Sequence, residues 1–404
     1  MVHEHCILAI MHYRKLKADK IFNGFTWLKE NDVVIVSESG VIHDIVNEED
    51  AGDGIDHLNG ILAPGFFNCH CHLELSHLKN TIPTKTGLVN FLLSVIKLRA
   101  SSNEVILEHA QKAEQEMADS GIVAVADVCN GSHTRDIKRN SILYFYNLIE
   151  VINLFDENLE KQLLHFNSVL DLYKAIEPNS TNALTPHAPY SVSPATFRAI
   201  NNATANAIIS IHNQESEAEN ELFQTGQGDF LNLYKGLGVE KLPVKLTNKT
   251  SLQTWLPYFT RGQTILLVHN TFISEEDIVF AKEHAEQYGL ELIYCLCPNA
   301  NLFIENRLPP VELLLKHQCK LVLGTDSYSS NWQLNIAAEI KTVMTHFPNL
   351  TLEEVLRWAT KNGADALRQN PMGSIEKGKN PGLVLLETNP LNDELITGKS
   401  KRIF

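Results

Sequence analysis

Short apolar runs recur through the middle of the chain, at 61–68, 122–128, 142–151, 183–185, 207–211, 264–268, 291–295 and 320–324. Stretches with helical periodicity separate most of them, at 86–100, 102–120, 158–175, 193–203, 274–288 and 310–318. Continuous short apolar runs suit strands covered on both faces, whereas the longer periodic stretches suit helices with one buried face. Ser102 stands ahead of Glu104, and Ser274 ahead of Glu275, Glu276 and Asp277. Both have the form of an N-cap followed by acidic residues in the first helical turn. Eight alternating strand–helix units predict a (β/α)8 TIM-like barrel. The competing architecture is an open doubly wound sheet, which gathers its ligand groups at one switch point, often with a glycine-rich turn. No GxGxxG occurs here, and polar residues close at least five separate runs. The barrel accounts for that distribution.

The two ends of the chain read differently. Short strands are predicted at 6–10, 33–36 and 41–45, with little helix, and Leu383-Val-Leu-Leu-Glu387 has the same character. A turn-rich boundary covers 374–382. The expected organisation is a small β-sandwich built from residues 1–60 and 373–404, flanking a barrel of 61–372.

Composition narrows the function classes. A content of 44% apolar and 20% charged residues is that of a globular protein. A net charge of −14 argues against a general nucleic-acid binder, which needs a basic face, but permits a small-molecule substrate. Seven unevenly spaced cysteines do not form a disulfide framework in so long a chain, so a reducing compartment is expected. The leading apolar run is too short for a signal peptide, and no 18-residue apolar span occurs, so no membrane association is expected and the default location is cytoplasmic. A homodimer is an admissible assembly on these grounds.

The chemistry-bearing residues sit at the ends of the apolar runs. His70 and His72 lie in Pro64-Gly-Phe-Phe-Asn-Cys-His70-Cys-His72-Leu-Glu74, His212 closes 207–211, His269 closes 264–268, and Asp326 follows Leu323-Gly-Thr. Residues two apart on a strand share a face, so His70 and His72 point together and Cys69 and Cys71 away from them, which forbids a four-ligand Cys-His-Cys-His knuckle. Imidazole and carboxylate suit zinc or divalent iron. Glu215, three residues beyond His212, can act as proton shuttle beside a water on the metal. The bland readings are buried strand histidines, a loop histidine at His269, an N-cap at Asp326, and a solvated acidic turn continuing through Glu217, Glu219 and Glu221. For those last three the solvated reading is preferred. Gly324 is expected to let two backbones approach closely.

These motifs together resemble the amidohydrolase superfamily, in its nucleoside/cytosine deaminase and chlorohydrolase branch. Thr185-Pro-His187-Ala-Pro-Tyr-Ser and Leu296-Cys-Pro-Asn-Ala-Asn301 are similar to further motifs of that branch, and the likeness spans about residues 5–390. His72-Leu-Glu74-Leu-Ser resembles aminodeoxyfutalosine deaminase-like members. The resemblance implies that His70, His72, His212 and Asp326 hold one divalent ion, zinc first and iron as the alternative. It implies that Glu215, His269 and Asp326 carry the catalysis, and that His187, Glu74 and Asn301 contact substrate. The bridging lysine of dinuclear members is missing between Thr181 and Val192, which favours one metal. Ala300 replaces a serine common in the family motif. The implied activity is hydrolytic deamination of a 6-aminopurine nucleoside derivative, of adenosine or aminodeoxyfutalosine type. The alternatives are a same-fold hydrolase of an amide or a chloro- or aminotriazine ring, and a non-catalytic barrel serving as scaffold.

Overall fold

The structure, a computed structural model, describes residues 13–176, 180–389 and 392–404. The chain opens with β1 (Tyr13–Ile21), β2 (Asp32–Ser37), β3 (Ile42–Asn47) and β4 (Ile55–Pro64). Four strands follow, separated by helices: β5 (Phe66–Cys71), β6 (Ile122–Cys129), β7 (Tyr144–Val151) and β8 (Ser180–Pro186). The next four are β9 (Ile208–Asn213), β10 (Thr264–His269), β11 (Glu291–Leu296) and β12 (Lys320–Leu323), and the chain closes with β13 (Leu383–Asn389) and β14 (Asn392–Arg402). The expected strand at 6–10 lies outside the described residues.

All eight apolar runs of the middle region are strands, in two parallel sheets ordered β5-β6-β7-β8 and β9-β10-β11-β12. The first run divides. Its residues Ile61–Pro64 finish β4, and after Gly65 the chain starts β5. The two sheets meet along both edges. Between β12 and β5, the N–H groups of Thr325 and Asp326 both donate to the carbonyl of His70 at 3.0 Å. Asn68 donates to Thr325 Oγ1 at 2.8 Å and accepts from the Thr325 N–H at 3.0 Å. A Cβ on Gly324 would lie 2.8 Å from His70 Cβ and 2.9 Å from His70 N, so only glycine allows this approach. Between β8 and β9, the His212 N–H donates to the carbonyl of His187 at 3.0 Å and the Ser210 N–H to Thr185 Oγ1 at 2.7 Å.

Period-2 alternation along these strands divides their apolar residues between two cores. One takes Phe145, Ile149, Ile265, Leu267, Tyr294 and Leu323 together with the helices. The other takes Tyr146, Leu148 and Ala183 from the first sheet with Leu266, Val268, Ile293 and Val322 from the second. Cys69 joins that second core and Cys71 the first, so the two cysteines do not share a side as the alternation predicts. A register shift between Asn68 and Cys71 in the β5–β6 pairing breaks the period there. Six cysteines among the described residues are free.

The two chain ends do pair, in one six-stranded sheet ordered β14-β13-β4-β1-β2-β3. β4 runs parallel to β1 and antiparallel to β13. Leu16, Val34, Val36, Leu62 and Leu383 form its packed face. No helix among the described residues is long and apolar enough to cross a membrane.

Candidate active site

His72, His187, His212, His269 and Asp326 line one cavity, because parallel strands bring their C-terminal ends to the same edge of the sheets. The ring nitrogens of His70, His72 and His212 can all lie within 4.8 Å of one another. His72 Nε2 and His212 Nε2 are 3.3 Å apart. Asp326 Oδ1 is 3.3 Å from His70 Nε2 and 3.5 Å from His72 Nε2. The other oxygen of Asp326 accepts from Ser330 Oγ at 2.5 Å, which fixes the carboxylate plane. His212 Nδ1 donates to the carbonyl of His187 at 2.8 Å, leaving Nε2 as the acceptor nitrogen that faces the cluster.

Burial is the main force on the histidines of the cluster. It holds His70, His72 and His212 below the usual imidazole range, so the rings are neutral and present lone pairs. Both ring nitrogens of His70 and Nε2 of His269 are buried with no hydrogen-bond partner. Buried nitrogens left without partners are rare in proteins unless they serve a ligand or ion. Three neutral imidazoles and one carboxylate at these separations fit a single zinc-type ion.

Glu215 follows the cluster by one short step. Its carboxyl is buried, with Oε1 3.5 Å from His269 Nε2. Burial, and then the nearby Asp326 charge, push its pKa well above the usual carboxylate range. Glu219 reaches back to accept from the N–H groups of Gln214 at 3.0 Å and Glu215 at 3.3 Å, and from Ser251 Oγ. Glu217 and Glu221 are exposed as expected, but Glu219 is fully buried and braces Glu215. The Ser216-x-x-Glu219 spacing is that of a capping box, a signal that separates Glu219 from its acidic neighbours. His269 and Asp326 both adopt left-handed backbone, with φ of 73° and 57°. That conformation is uncommon for residues other than glycine and clusters at functional sites.

Of the three expected substrate contacts, His187 lines the cavity. Burial lowers its pKa to about 4, and Nδ1 pairs with Ser191 Oγ at 2.6 Å. Glu74 and Asn301 do not line this cavity: Glu74 lines an adjoining one with Arg99 and Asn130, and Asn301 is buried beside His269 with its Oδ1 unpartnered. Glu74 accepts from Arg99 and from two backbone N–H groups. Asn301 donates to Thr271 Oγ1 at 2.5 Å and stands 3.4 Å from His269 Nδ1. Glu150, which the sequence reading passed over, does line the cavity. Its signal was a lone acidic residue near the end of an apolar run. The opposite wall is apolar, formed by Leu88, Phe91, Leu92 and Val95 of the helix Leu88–Leu98.

The chain belongs to the amidohydrolase family, whose model matches residues 61–403. It is 27% identical over 392 residues to the 5'-deoxyadenosine deaminase of Methanococcus maripaludis, covering 92% of this chain and 85% of that one. It is 28% identical over 344 residues to the aminodeoxyfutalosine deaminase of a Nitratiruptor species, covering 81% and 79%. The crystal structure of Helicobacter pylori aminofutalosine deaminase in complex with methylthio-coformycin shares the fold, with a TM-score of 0.78 at 22% identity over 97% of this chain and 100% of that one.

Proposed function

We propose that this protein is a metal-dependent deaminase that hydrolyses the exocyclic amine of a 6-aminopurine nucleoside derivative, of adenosine, 5'-deoxyadenosine or aminodeoxyfutalosine type. The observation that carries the reading is the convergence of His70, His72, His212 and Asp326 with a buried Glu215 beside one cavity. The relatives' substrates supply the purine nucleoside class. Both sheets feeding one core, with hydrogen bonds along both seams, support closure into a (β/α)8 barrel. We assign 61–372 to that barrel and 1–60 with 373–404 to the end domain, with the boundary moved to Gly65 because Ile61–Pro64 finish β4.

His70, His72, His212 and Asp326 would hold the ion, zinc in preference to iron. When bound, the ion lowers the pKa of a water toward neutrality. The remaining chemistry belongs to the chain. Glu215 takes a proton from the attacking water and passes it to the ring nitrogen beside the amine-bearing carbon, which makes that carbon electrophilic. Burial raises its pKa, which favours its holding the proton between the two transfers. His269 and Asp326 orient the attacking oxygen. The water oxygen adds at the carbon, Glu215 then carries the remaining hydroxyl proton to the amine, and the carbon–nitrogen bond breaks so that ammonia leaves with a keto ring behind. The apolar wall of the helix Leu88–Leu98 excludes water and packs the part of the nucleoside remote from the amine.

The test pairs elemental analysis with ammonia release from a panel of aminopurine nucleosides, aminopyrimidines and pterins. One divalent ion per chain and turnover of at least one adenosine derivative are expected. Two ions per chain would overturn the metal assignment, and activity confined to pyrimidines, pterins or triazines would overturn the nucleoside assignment.

A further inference from the structure

Two buried carboxylates stand beside the cavity outside the ligand cluster, Glu74 and Glu150, linked through Asn130. Both oxygens of Glu74 are occupied. Oε1 accepts from Arg99 at 3.0 Å, and Oε2 accepts from the N–H groups of Asn130 at 3.2 Å and Gly131 at 3.3 Å. Glu150 is different. It lies one residue from the end of β7, is 2% exposed, and lines the cavity with Asn130 and His187. Its Oε2 accepts from Asn130 Nδ2 at 2.7 Å. Its Oε1 faces His212 Nδ1 at 3.7 Å, beyond hydrogen-bonding distance, and that nitrogen already donates to the His187 carbonyl. Among the described residues no other donor reaches Oε1.

A carboxylate oxygen that faces a cavity without a protein donor is open to a ligand, and a ligand that supplies an O–H or N–H there gains a charge-assisted hydrogen bond. An adenine ring presents acceptors along its edges, apart from the amine that departs. With that amine directed at Glu215 and the histidine cluster, the donor for Glu150 must come from the sugar. We propose that Glu150 is a specificity-determining residue that accepts a hydrogen bond from a ribose hydroxyl of the substrate, a role that Glu74, already saturated, does not fill. This rests on the deaminase reading above. Asn130 sets the aim, since it donates to Glu150 through its side chain while its Oδ1 accepts from Arg99 at 3.1 Å.

The experiment measures kcat/KM of the metal-loaded protein for adenosine, 2'-deoxyadenosine and 3'-deoxyadenosine in wild type, Glu150→Ala, Glu150→Gln and Glu74→Gln. Wild type is expected to penalise at least one deoxynucleoside by roughly 10- to 100-fold, the range for a hydrogen bond to a charged group. Glu150→Ala brings that ratio close to one. The isosteric Glu150→Gln, which preserves packing if the alanine variant does not fold, cuts the penalty to a few-fold. Metal content and thermal midpoint are recorded for each variant. An undiminished penalty in a folded, metal-loaded Glu150 variant, or its loss in Glu74→Gln instead, overturns the assignment while the deaminase reading stands. Wild-type protein inert toward every adenosine derivative overturns both.

Discussion

Replacing Glu219 by alanine removes three hydrogen bonds at once and strands the two backbone N–H groups of Gln214 and Glu215 in a fully buried place. Each buried donor left unpaired costs about 1–3 kcal/mol, so the loss for the two is about 2–6 kcal/mol. With an unfolding entropy of about 2.1 cal/mol/K per residue, a chain of 404 residues loses about 2–7 °C in Tm. The same change frees the backbone that aims Glu215, and a misplacement of that kind lowers kcat by roughly 10-fold or more. Calorimetry and ammonia release at pH 6 provide the assay, with Glu217→Ala as the exposed control. The acid form carries a second signature. Burial raises Glu219 from 4.5 to about 7, so folding takes up a proton. The group imposes no penalty below pH 4.5, and stability falls as the pH climbs from there to 7, by about 3 kcal/mol. Glu219→Gln should flatten that part of the stability profile. If Glu219→Ala is as silent as Glu217→Ala in both Tm and kcat, the bracing role is refuted.

Glu215→Gln should retain its metal and fold while turnover drops roughly 100-fold or more, measured at matched metal content; near-normal activity would remove Glu215 as the proton carrier. His269→Asn, which tolerates the left-handed backbone, should keep metal better than His212→Ala yet be strongly impaired, and metal loss equal to His212→Ala in elemental analysis would make His269 a required ligand instead. Gly324→Ala drives a methyl into the backbone of His70, so both metal content and Tm should fall, and a variant with wild-type metal affinity would show that the seam relaxes freely.

The ligand cluster was legible because parallel strands deliver their C-terminal residues to a common edge, so a histidine or aspartate ending an apolar run is conspicuous in one dimension. The residues that aim the cluster were not. Ser330 and Glu219 acquire their roles from partners met across the fold, and nothing local separates a buried brace such as Glu219 from an exposed neighbour such as Glu217 except a capping-box spacing. The same limit applies to substrate contacts. Glu74 and Asn301 carry family-like motifs, and the partners they meet, Arg99 and Thr271, come from outside those motifs. β1 was missed because Arg14, Lys15, Lys17 and Lys20 interrupt its apolar residues, although Leu16, Ala18 and Ile21 are buried. The split of the first run at Gly65 was invisible because both halves are equally apolar.

The partnership of β4 with β13 has a consequence for how the protein is made. Pro64 pairs with Leu383 and Ile61 with Leu386, and the Gly65 N–H donates to the carbonyls of Pro381 and Gly382. One residue later begins β5, the strand that carries His70. During synthesis, β4 therefore waits with an open edge until more than 300 further residues have been translated. Contacts of such sequence separation form slowly, so the nascent chain depends on that edge staying unpaired with neighbours until its late partner arrives. A ribosome stalled before residue 383 would hold a chain that has every histidine of the cluster but lacks the strand that seals the edge beside the first of them.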